Sequence, residues 1–408
     1  MSCDFTKSVN RRDSKAEKWS EKNIEEICGN RKALPFWVAD MDLPVSDEIK
    51  NDLIREADRG VIGYRESGDL KPLFISFMKE RHNTVLDPDK VAFAQGMLHA
   101  IALALNLFTH EDDKVLLVYP SYHPFIDMIE NNHRVIVPFR LDRSGNGFSF
   151  DCERYREESR DCSAVLFCSP HNPTGIVFSE AELECVLTSA RERGQIVLCD
   201  EIHSDLSYPS FTHTPLIRAN EKTGARCITF SAASKSFNIA GEHCAFASFS
   251  HKRDRQAYER WQKRLYLTSP GYSVSVMAEA AYRDGLEYNR ALCRDLSRKA
   301  EKVRSFIKEN CPLLTFCTPH ASFIAFIDCS AILDKVIEDR NRHPEIYGDY
   351  YLMSHFFGQR GGICMNDGTW FGGEDYKAYV RFNFGCGDDL LDKGLEGIKK
   401  AYDYITKQ

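Results

Sequence analysis

The feature that most constrains the fold is a series of short apolar segments between residues 90 and 249, several of which are separated by longer helix-like segments. Apolar runs of this length are typical of buried strands. Strands that alternate with helices favour a mostly parallel α/β sheet, because each helix carries the chain back to the edge where the next strand starts. The predicted strands are 91–94, 114–119, 134–139, 164–168, 195–199, 227–230 and 244–248.

The remaining segments predict helices and a second domain. Ser179 and Glu182 have the spacing of a capping box, in which each side chain satisfies a free backbone N–H at the start of a helix that runs to Gly194. Beyond residue 249 helical segments are followed by short alternating ones. The other predicted elements are helices at 47–59, 70–82, 254–265, 274–284, 286–309 and 388–405, and strands at 322–327, 362–366 and 379–384.

These elements suggest three parts of the chain. Residues 1–54 form an N-terminal arm that contributes to the small domain and to the mouth of a site. Residues 55–285 form the large domain, and residues 286–408 form a smaller α+β domain. In a parallel sheet, ligands are expected at the carboxyl ends of the strands.

Composition excludes several classes of protein. The net charge of −7 and the lack of a basic block argue against a nucleic-acid or anionic-membrane partner, and favour a small-molecule ligand. Residues 1–10 lack the apolar core of a signal peptide, and no run reaches the length of a membrane span, so we expect a cytoplasmic protein. The fifteen cysteines are scattered and often lie in apolar runs, as expected of reduced core thiols. Their spacing predicts no metal site.

The candidate nucleophile is Lys235, which follows the apolar strand at 227–230 among small hydroxyl residues. Burial at the end of a strand disfavours the charged amine, and a neutral amine forms a Schiff base with a carbonyl group. A surface lysine after a strand is the alternative for this residue taken alone.

Other polar residues fall at the ends of the predicted strands. Asp200 ends one strand and is followed by His203, although an aspartate at this place also fits a helix N-cap. Asn172 lies between two prolines that restrict its backbone. Gly96 opens a helix whose free N–H groups and dipole favour an anion. Tyr122 adds an aromatic face near the same edge, with core packing as its alternative.

Three further places carry alternatives. Arg381 lies in an alternating strand, where it is either a solvated edge residue or a clamp for a carboxylate. Asp40 and Asp42 flank a methionine near a tryptophan, and suit either acid/base chemistry or a turn that caps the next helix. Tyr64, after two glycines, is an ordinary exposed tyrosine when considered alone.

Together these residues match the needs of pyridoxal 5′-phosphate (PLP). That cofactor requires a lysine to hold its aldehyde and a carboxylate to keep its ring nitrogen protonated, so that the ring accepts electrons from a carbanion. Lys235 and Asp200 are the candidates for these two roles. The anion-binding helix start, the aromatic face, the amide and the arginine complete the set.

Five motifs occur in a specific order along nearly the whole chain: Gly63-Tyr64, Ser169-Pro-His-Asn172-Pro-Thr-Gly175, Asp200-Glu-Ile-His203, Ser231-Ala-Ala-Ser-Lys235 and Arg381-Phe-Asn383. In this order the chain resembles the fold-type I PLP enzymes of aminotransferase class I/II. The resemblance implies the aspartate aminotransferase-like fold of PLP-dependent transferases.

The resemblance also implies roles for single residues. Lys235 carries the cofactor, Asp200 pairs with the ring nitrogen, Asn172 bonds the ring hydroxyl, Tyr122 stacks on the ring, and His203 adds a cofactor contact. Arg381 binds the substrate carboxylate, and the further substrate contacts implied are Asn172, Tyr122 and Ala39.

For the phosphate, the resemblance implies contacts from backbone, hydroxyl groups and a neighbouring subunit. Tyr64 is expected to reach the neighbouring active site and to be part of its catalytic set, which implies a homodimer. The remaining phosphate contacts implied are the backbone at Gly96, Met97 and Leu98 and the hydroxyls of Ser231 and Ser234.

Within the family, the chain is similar to the cystathionine β-lyase-like branch of carbon–sulfur lyases, the MalY/PatB type. The features that carry this similarity are Trp37-Val-Ala-Asp-Met-Asp42, His203 where aminotransferases usually place a tyrosine, and Ser234-Lys235-Ser-Phe-Asn238 followed by Ile239-Ala-Gly241. The implied reaction is α,β-elimination of an L-cysteine S-conjugate such as cystathionine, giving pyruvate, ammonia and a thiol.

The chain departs from this pattern at Gly385-Cys-Gly-Asp-Asp389 and at Glu242-His243. At the position of His243, aminotransferases have an arginine that binds the phosphate. An aminotransferase, or another reaction such as replacement or cyclisation on the same cofactor, is the alternative function. A PLP-binding regulatory protein is a further alternative.

Overall fold

The computed structural model of the protein describes residues 4–66, 68–145, 147–347 and 351–407. Its strands are β1 (Leu34–Pro35), β2 (Val91–Ala94), β3 (Lys114–Tyr119), β4 (Val135–Arg140), β5 (Asp142–Ser144), β6 (Gly147–Ser149), β7 (Ala164–Cys168), β8 (Ile196–Asp200), β9 (Arg226–Ser231), β10 (Ala245–Phe249), β11 (Thr315–Cys317), β12 (Ile324–Asp328), β13 (Ile363–Cys364), β14 (Asn366–Asp367) and β15 (Tyr379–Asn383).

The helices lie between and after these strands. They are α1 (Glu21–Cys28), α2 (Asp47–Asp58), α3 (Leu70–His82), α4 (Met97–Phe108), α5 (His123–Asn131), α6 (Cys152–Glu158), α7 (Glu180–Arg193), α8 (Leu216–Thr223), α9 (Ala233–Ser236), α10 (Lys252–Leu265), α11 (Tyr272–Asp284), α12 (Leu286–Asn310), α13 (Leu333–Arg342), α14 (Leu352–Phe356) and α15 (Asp388–Thr406).

The central sheet has seven strands in the order β2-β10-β9-β8-β7-β3-β4. All neighbouring pairs are parallel except those of β10, which runs antiparallel to both β2 and β9. Every residue of β7, β8 and β10 is buried, as expected when helices cover both faces of a sheet. The predicted α/β class with a mostly parallel sheet is therefore confirmed.

A second, four-stranded antiparallel sheet has the order β11-β12-β15-β14. The short strand β1 of the N-terminal arm pairs in parallel with β13, so the arm is joined to the carboxyl-terminal part of the chain. The strands of the seven-stranded sheet come from residues 91–249 and those of the second sheet from residues 315–383. The exact domain limits at residues 54 and 285 stay a prediction.

Most predicted elements are present, with two instructive differences. The predicted strand at 362–366 is wrong as one element, because β13 and β14 belong to different sheets. The predicted strand at 322–327 begins only at Ile324, since Ser322 has a φ of +76°, which is not an extended conformation. The predicted capping box is confirmed, and Gly194 ends that helix at a φ of +70°.

The prediction that the cysteines are unpaired core thiols is confirmed for those that the structure describes. Among the described residues fourteen cysteines are unpaired, and all of these except Cys152 are buried. Within the same residues, no group of metal-ligating side chains could hold an ion. A search of the described helices finds none with the length and apolar character needed to cross a membrane.

Candidate active site

The carboxyl ends of three neighbouring strands bring the predicted residues together. In the sheet register Cys168 of β7 is opposite Asp200 of β8, which is opposite Phe230 of β9. Asn172 follows the first of these strands, and Lys235 lies on the short helix that follows the third. Sequence positions that are far apart therefore meet at one edge of the sheet, as expected for a parallel α/β architecture.

Asp200 is a buried carboxylate with no positive side chain against it. Its exposed fraction is 3%, and its Oδ1 accepts a hydrogen bond of 2.8 Å from the Ile202 N–H. This bond closes a local turn, and the N-cap alternative is wrong because the next helical turn, Ser204–Leu206, has His203 at its N-cap position. No lysine, arginine or histidine nitrogen within the described ranges lies within 4.0 Å of the carboxylate. Burial raises the pKa of Asp200 to about 7, and the site therefore favours a cationic ligand group there.

Lys235 has the properties expected of a nucleophilic amine. Its Nζ donates a hydrogen bond of 2.5 Å to the backbone carbonyl of Ala39, which brings the N-terminal arm to the lysine. Burial lowers the pKa of Lys235 to about 8; the carboxylates of Asp40 and Asp200 oppose this change, and the charge of Arg381 adds to it. A substantial fraction of the amine is therefore neutral near pH 8.

Arg381 lies in the middle of β15 and is 5% exposed. Its Nη2 donates to the Trp37 carbonyl and to Asn366 Oδ1, both at 2.8 Å, and its Nη1 donates to Asn172 Oδ1 at 3.3 Å. The buried Nε has no hydrogen-bond partner among the residues that the structure describes. Burial lowers the pKa of Arg381 to about 10, and no carboxylate of the described residues forms an ion pair with it.

A cleft of about 340 Å³ lies next to Lys235. It is bordered by Tyr122, by Ser234 and by the start of α4, where the first N–H groups of a helix have no partners within the helix. The lining also includes Gly96, Met97, Leu98 and His243. The predicted aromatic face and the predicted anion-binding helix start therefore border the same space as the lysine.

Two details refine the predicted phosphate contacts. The Gly96 N–H donates to the Ala94 carbonyl at 2.9 Å, whereas α4 begins only at Met97. A Cβ atom on Gly96 would lie 3.2 Å from the Cβ of His243, so the glycine lets this histidine approach the helix start. Ser231 ends β9 in a buried position and does not border the cleft, while Ser234 does.

His203 and Tyr122 are held by neighbouring groups. His203 is 2% exposed, and its Nδ1 lies 3.0 Å from the hydroxyl of Ser322. Burial, with the charges of Lys235 and Arg381, lowers the pKa of His203 to about 3, so its ring is neutral. The Tyr122 ring packs edge-on against Phe125 at 5.3 Å, and burial raises the pKa of its hydroxyl.

Tyr64 is the most exposed of the predicted site residues in the single chain. Its exposed fraction is 112%, and those of Val61 and Ile62 are 70% and 77%. The segment thus presents a tyrosine and two large apolar side chains away from the body of its own chain.

Asp40 and Asp42 have a different environment from the one predicted. Asp42 is fully buried, and its Oδ2 lies 2.8 Å from the Nζ of Lys18, while its Oδ1 accepts from the Trp19 indole at 2.9 Å. Asp40 pairs with Arg11 at 2.8 Å. The interpretation of this turn as the cap of the next helix is wrong, because the hydroxyl of Ser46 caps α2. The two carboxylates instead hold the arm together.

Two residues of the site could not be recognised from the sequence, and a third is named only as part of a motif. Asn366 and the ring of Phe371, 5.0 Å from the Arg381 guanidinium, help to hold the arginine. Asn238 donates to the carbonyls of Met41 and Leu43 and thereby ties the arm to the lysine segment. The only sequence signal at the first two is a turn-like Asn-Asp-Gly, which carries no information about a distant arginine.

Comparisons with known proteins identify the family of the chain. A family model described as aminotransferase class I and II matches residues 39–398. The chain is 29% identical over 402 residues to cystathionine β-lyase PatB of Bacillus subtilis (strain 168), covering 97% of this chain and 99% of that protein. It is 26% identical over 403 residues to protein MalY of Escherichia coli (strain K12), covering 98% of each.

A solved structure of a PLP-bound enzyme is also similar to the chain. The PLP-bound C-S lyase from Staphylococcus hominis superposes with a TM-score of 0.86 at 25% identity, covering 98% of this chain and 97% of that one. The family model spans most of the chain, and both relatives and the solved structure cover it almost end to end. The chain therefore belongs to the aminotransferase class I and II family.

Proposed function

We propose that this protein is a PLP-dependent carbon–sulfur β-lyase. It acts by α,β-elimination on cystathionine or another L-cysteine S-conjugate and, with one water, releases pyruvate, ammonia and a thiol. Relatives named as cystathionine β-lyase and C-S lyase support this reaction. The observation that carries the proposal is that the charges of Asp200 and Arg381 both act on the Lys235 amine, while none of these three side chains has an ion pair within the described residues.

The residues present fit PLP. The buried carboxylate of Asp200 lacks a cation and suits a protonated ring nitrogen, while the Lys235 amine is neutral enough to bond an aldehyde. The start of α4 and the hydroxyl of Ser234 border the same cleft and suit the phosphate. Bound PLP supplies a ring that accepts electrons from the α-carbon of an amino acid.

The chain's own residues then have separate tasks. Arg381 binds the α-carboxylate of the substrate through its free Nε and its guanidinium fork. Asn172, which accepts a hydrogen bond from Arg381, helps to orient the arginine and the substrate. Lys235 takes the proton from the substrate α-carbon, after which the sulfur leaves the β-carbon as a thiolate. Asp200 holds the proton at the ring nitrogen throughout, since a neutral ring would accept electrons less well.

We assign the remaining predicted residues to holding the cofactor and the substrate. Tyr122 would stack on the ring of PLP, and His203 would contact the cofactor as a neutral imidazole. Ala39, whose carbonyl accepts from Lys235, borders the substrate. The phosphate contacts in this proposal are Gly96, Met97, Leu98, Ser231 and Ser234.

We further propose that the protein is a homodimer in which Tyr64 reaches the phosphate in the neighbouring subunit and takes part in its catalytic set. The full exposure of Tyr64 beside exposed Val61 and Ile62 supports this assignment, because large apolar side chains rarely protrude together from a monomer. Tyr64→Phe would then weaken PLP binding without changing the oligomeric state. Unchanged PLP affinity would contradict the assignment.

The domain limits and the cellular compartment also belong to this proposal. We place an arm at residues 1–54, the PLP-binding domain at 55–285 and the small domain at 286–408, supported by the separation of the two large sheets along the chain. The buried, unpaired cysteines support a reducing compartment such as the cytoplasm.

The test uses purified protein loaded with PLP and supplied with cystathionine but no keto acid. We expect pyruvate and a thiol to appear in equal amounts. Turnover only after addition of a keto acid would instead identify an aminotransferase, and the lyase proposal would fail. A PLP absorbance band that no amino acid changes would indicate a binding protein without catalysis.

A further inference from the structure

A second cleft, of about 460 Å³, lies apart from the active-site cleft and shares no lining residue with it. It is formed by the end of α3, the segment at 207–213, and parts of α8 and α12. Of the described residues that line it, four are arginines, Arg81, Arg218, Arg290 and Arg294, and Glu80 is the only carboxylate. We call it the arginine cleft.

Most of these arginines lack an ionic partner. Arg81 donates to the Asp205 carbonyl at 2.8 Å and to the Asn289 amide at 3.0 Å, and Arg218 donates to the His82 carbonyl at 3.3 Å. Within the described ranges no carboxylate oxygen lies within 4.0 Å of Arg81, Arg218 or Arg294, and only Arg290 has an ion pair, with Glu287. The guanidinium groups therefore retain free donors.

The floor of the arginine cleft contains a further unsatisfied group. His213 is 4% exposed, and in the part of the chain that the structure describes neither of its ring nitrogens has a hydrogen-bond partner. Its Nε2 lies 3.7 Å from the carboxylate of Glu201, beyond hydrogen-bonding distance. A buried imidazole without a partner is costly unless a ligand supplies one.

Two carboxylates behind the cleft are bonded mainly to groups other than the arginines, although the charge of Arg81 contributes to lowering the pKa of Asp205. In the carboxylate of Asp205, Oδ1 lies 2.6 Å from Nε2 of His82, and Oδ2 accepts a hydrogen bond of 2.8 Å from the Ser236 hydroxyl. Glu201 accepts the Leu216 N–H at 2.6 Å. The surface of the cleft therefore presents an excess of positive charge that one carboxylate of a ligand could not balance.

We propose that the arginine cleft binds a small polyanion of the diphosphate or triphosphate class. Guanidinium forks match phosphate oxygens in pairs, and several phosphates in one ligand match several arginines. The cleft has the volume of a small-ligand site. The exposed ring of Phe211, which stacks on His320 at 4.1 Å, forms an aromatic wall for an attached base.

The test is calorimetric titration of the PLP-loaded protein with inorganic pyrophosphate and, separately, with ATP, both with a chelator to remove metal ions. Binding of at least one probe below about 1 mM is expected at low ionic strength. The Arg218→Gln/Arg294→Gln double variant weakens that binding about tenfold or more. Absence of binding by both probes would overturn the proposal.

A matched control separates a specific site from attraction by net charge. Arg156 and Arg260 are exposed and lie outside the cleft, so Arg156→Gln/Arg260→Gln removes the same charge and changes affinity by less than about twofold. Equal weakening in both double variants would contradict the proposal. Arg294→Gln alone keeps the test valid if the double variant folds poorly, because Arg294 is exposed and has no ion pair among the described residues. PLP absorbance and lyase turnover remain unchanged in all three variants.

Discussion

Two groups of buried charges, one in the N-terminal arm and one in the active site, are satisfied in opposite ways. In the arm, Lys18 and Asp42 are both fully buried and lie 2.8 Å apart, with Arg11 and Trp19 also bonded to Asp42. In the active site, Asp200 and Arg381 are also buried, yet neither has an ionic partner within the described residues.

The difference separates structural from functional charges. Where opposite charges are paired inside the chain, the removal of one leaves the other buried and uncompensated, so the cost is paid in stability. Where the charges are left unpaired, they already destabilise the folded chain and become favourable only when a ligand supplies the partner. Mutations in the two groups should therefore have different consequences.

The largest effect is expected in the active site. Lys235→Ala removes both the amine that attaches the cofactor and the base that takes the α-proton, so kcat falls by at least about 10⁴-fold. Pyruvate release from cystathionine measures it. Lys252→Ala, a change to an exposed lysine paired with Asp89, serves as the control and should leave kcat unchanged. Full activity of Lys235→Ala would refute the assignment of the site.

In the arm, Lys18→Met should lower the free energy of unfolding by about 3–5 kcal/mol, because Asp42 then remains buried without its main cation. Urea unfolding measures the change. Lys22→Met disrupts an exposed pair with Glu26 and should cost less than about 1 kcal/mol. If both variants were equally stable, the arm cluster would not be structural.

Removing the charge of the unpaired carboxylate, Asp200, should raise stability instead of lowering it. The folded-state pKa of Asp200, about 7, is above the ordinary 3.8, so the folded chain binds more protons and loses stability as pH rises from about 4 to 7. The loss amounts to at most about 4 kcal/mol. In cofactor-free protein, Asp200→Asn should therefore be more stable than the wild type at pH 8, with the gap narrowing towards pH 4.

Urea unfolding at several pH values measures this gap. Asp254→Asn is the matched control, because Asp254 is also buried but accepts two hydrogen bonds of 2.8 Å from Arg226. That variant should be less stable than the wild type at pH 8. If Asp200→Asn were less stable than the wild type at pH 8, the proposed difference between paired and unpaired charges would be wrong.

The smallest effect is expected when the charge at position 381 is kept and only the geometry of the cationic group is changed. Arg381→Lys keeps a cation but loses the planar fork and the free Nε, so kcat/KM for cystathionine should fall about 100-fold, mainly through KM. Steady-state kinetics measures it. Arg143→Lys alters an arginine paired with Asp328 outside the site and should not change kcat/KM. A normal KM in Arg381→Lys would exclude this residue as the carboxylate clamp.

Local patterns predicted most of the fold correctly. The strands β2, β3 and β7 and the helix α3 have the bounds that the apolar runs indicated, because these runs are continuous and end at polar or turn-forming residues. The hairpin of β5 and β6, the strand β11 and the helix α13 were not predicted. Their segments are short or strongly polar, and packing against distant parts of the chain stabilises them.

In the candidate site, too, some features could be predicted from local patterns and others depend on long-range contacts. Asp200, Asn172 and Lys235 follow buried strands, and a parallel sheet brings strand ends together, so their proximity could be predicted. The partners of Arg381 could not, since its bond to the Trp37 carbonyl joins residues 344 positions apart. Asp42 was equally unpredictable, because its partner Lys18 lies in a polar segment without any pattern.

The sequence by itself determined the sheet, the order of its strands along the chain, and the residue types that a PLP site requires. These properties depend on local periodicity and on chemistry that each residue carries alone. Only the tertiary structure decided which charges are paired. Whether Asp42 or Asp200 has a cation beside it depends on long-range packing, and that packing makes the first a structural residue and leaves the second available to a ligand.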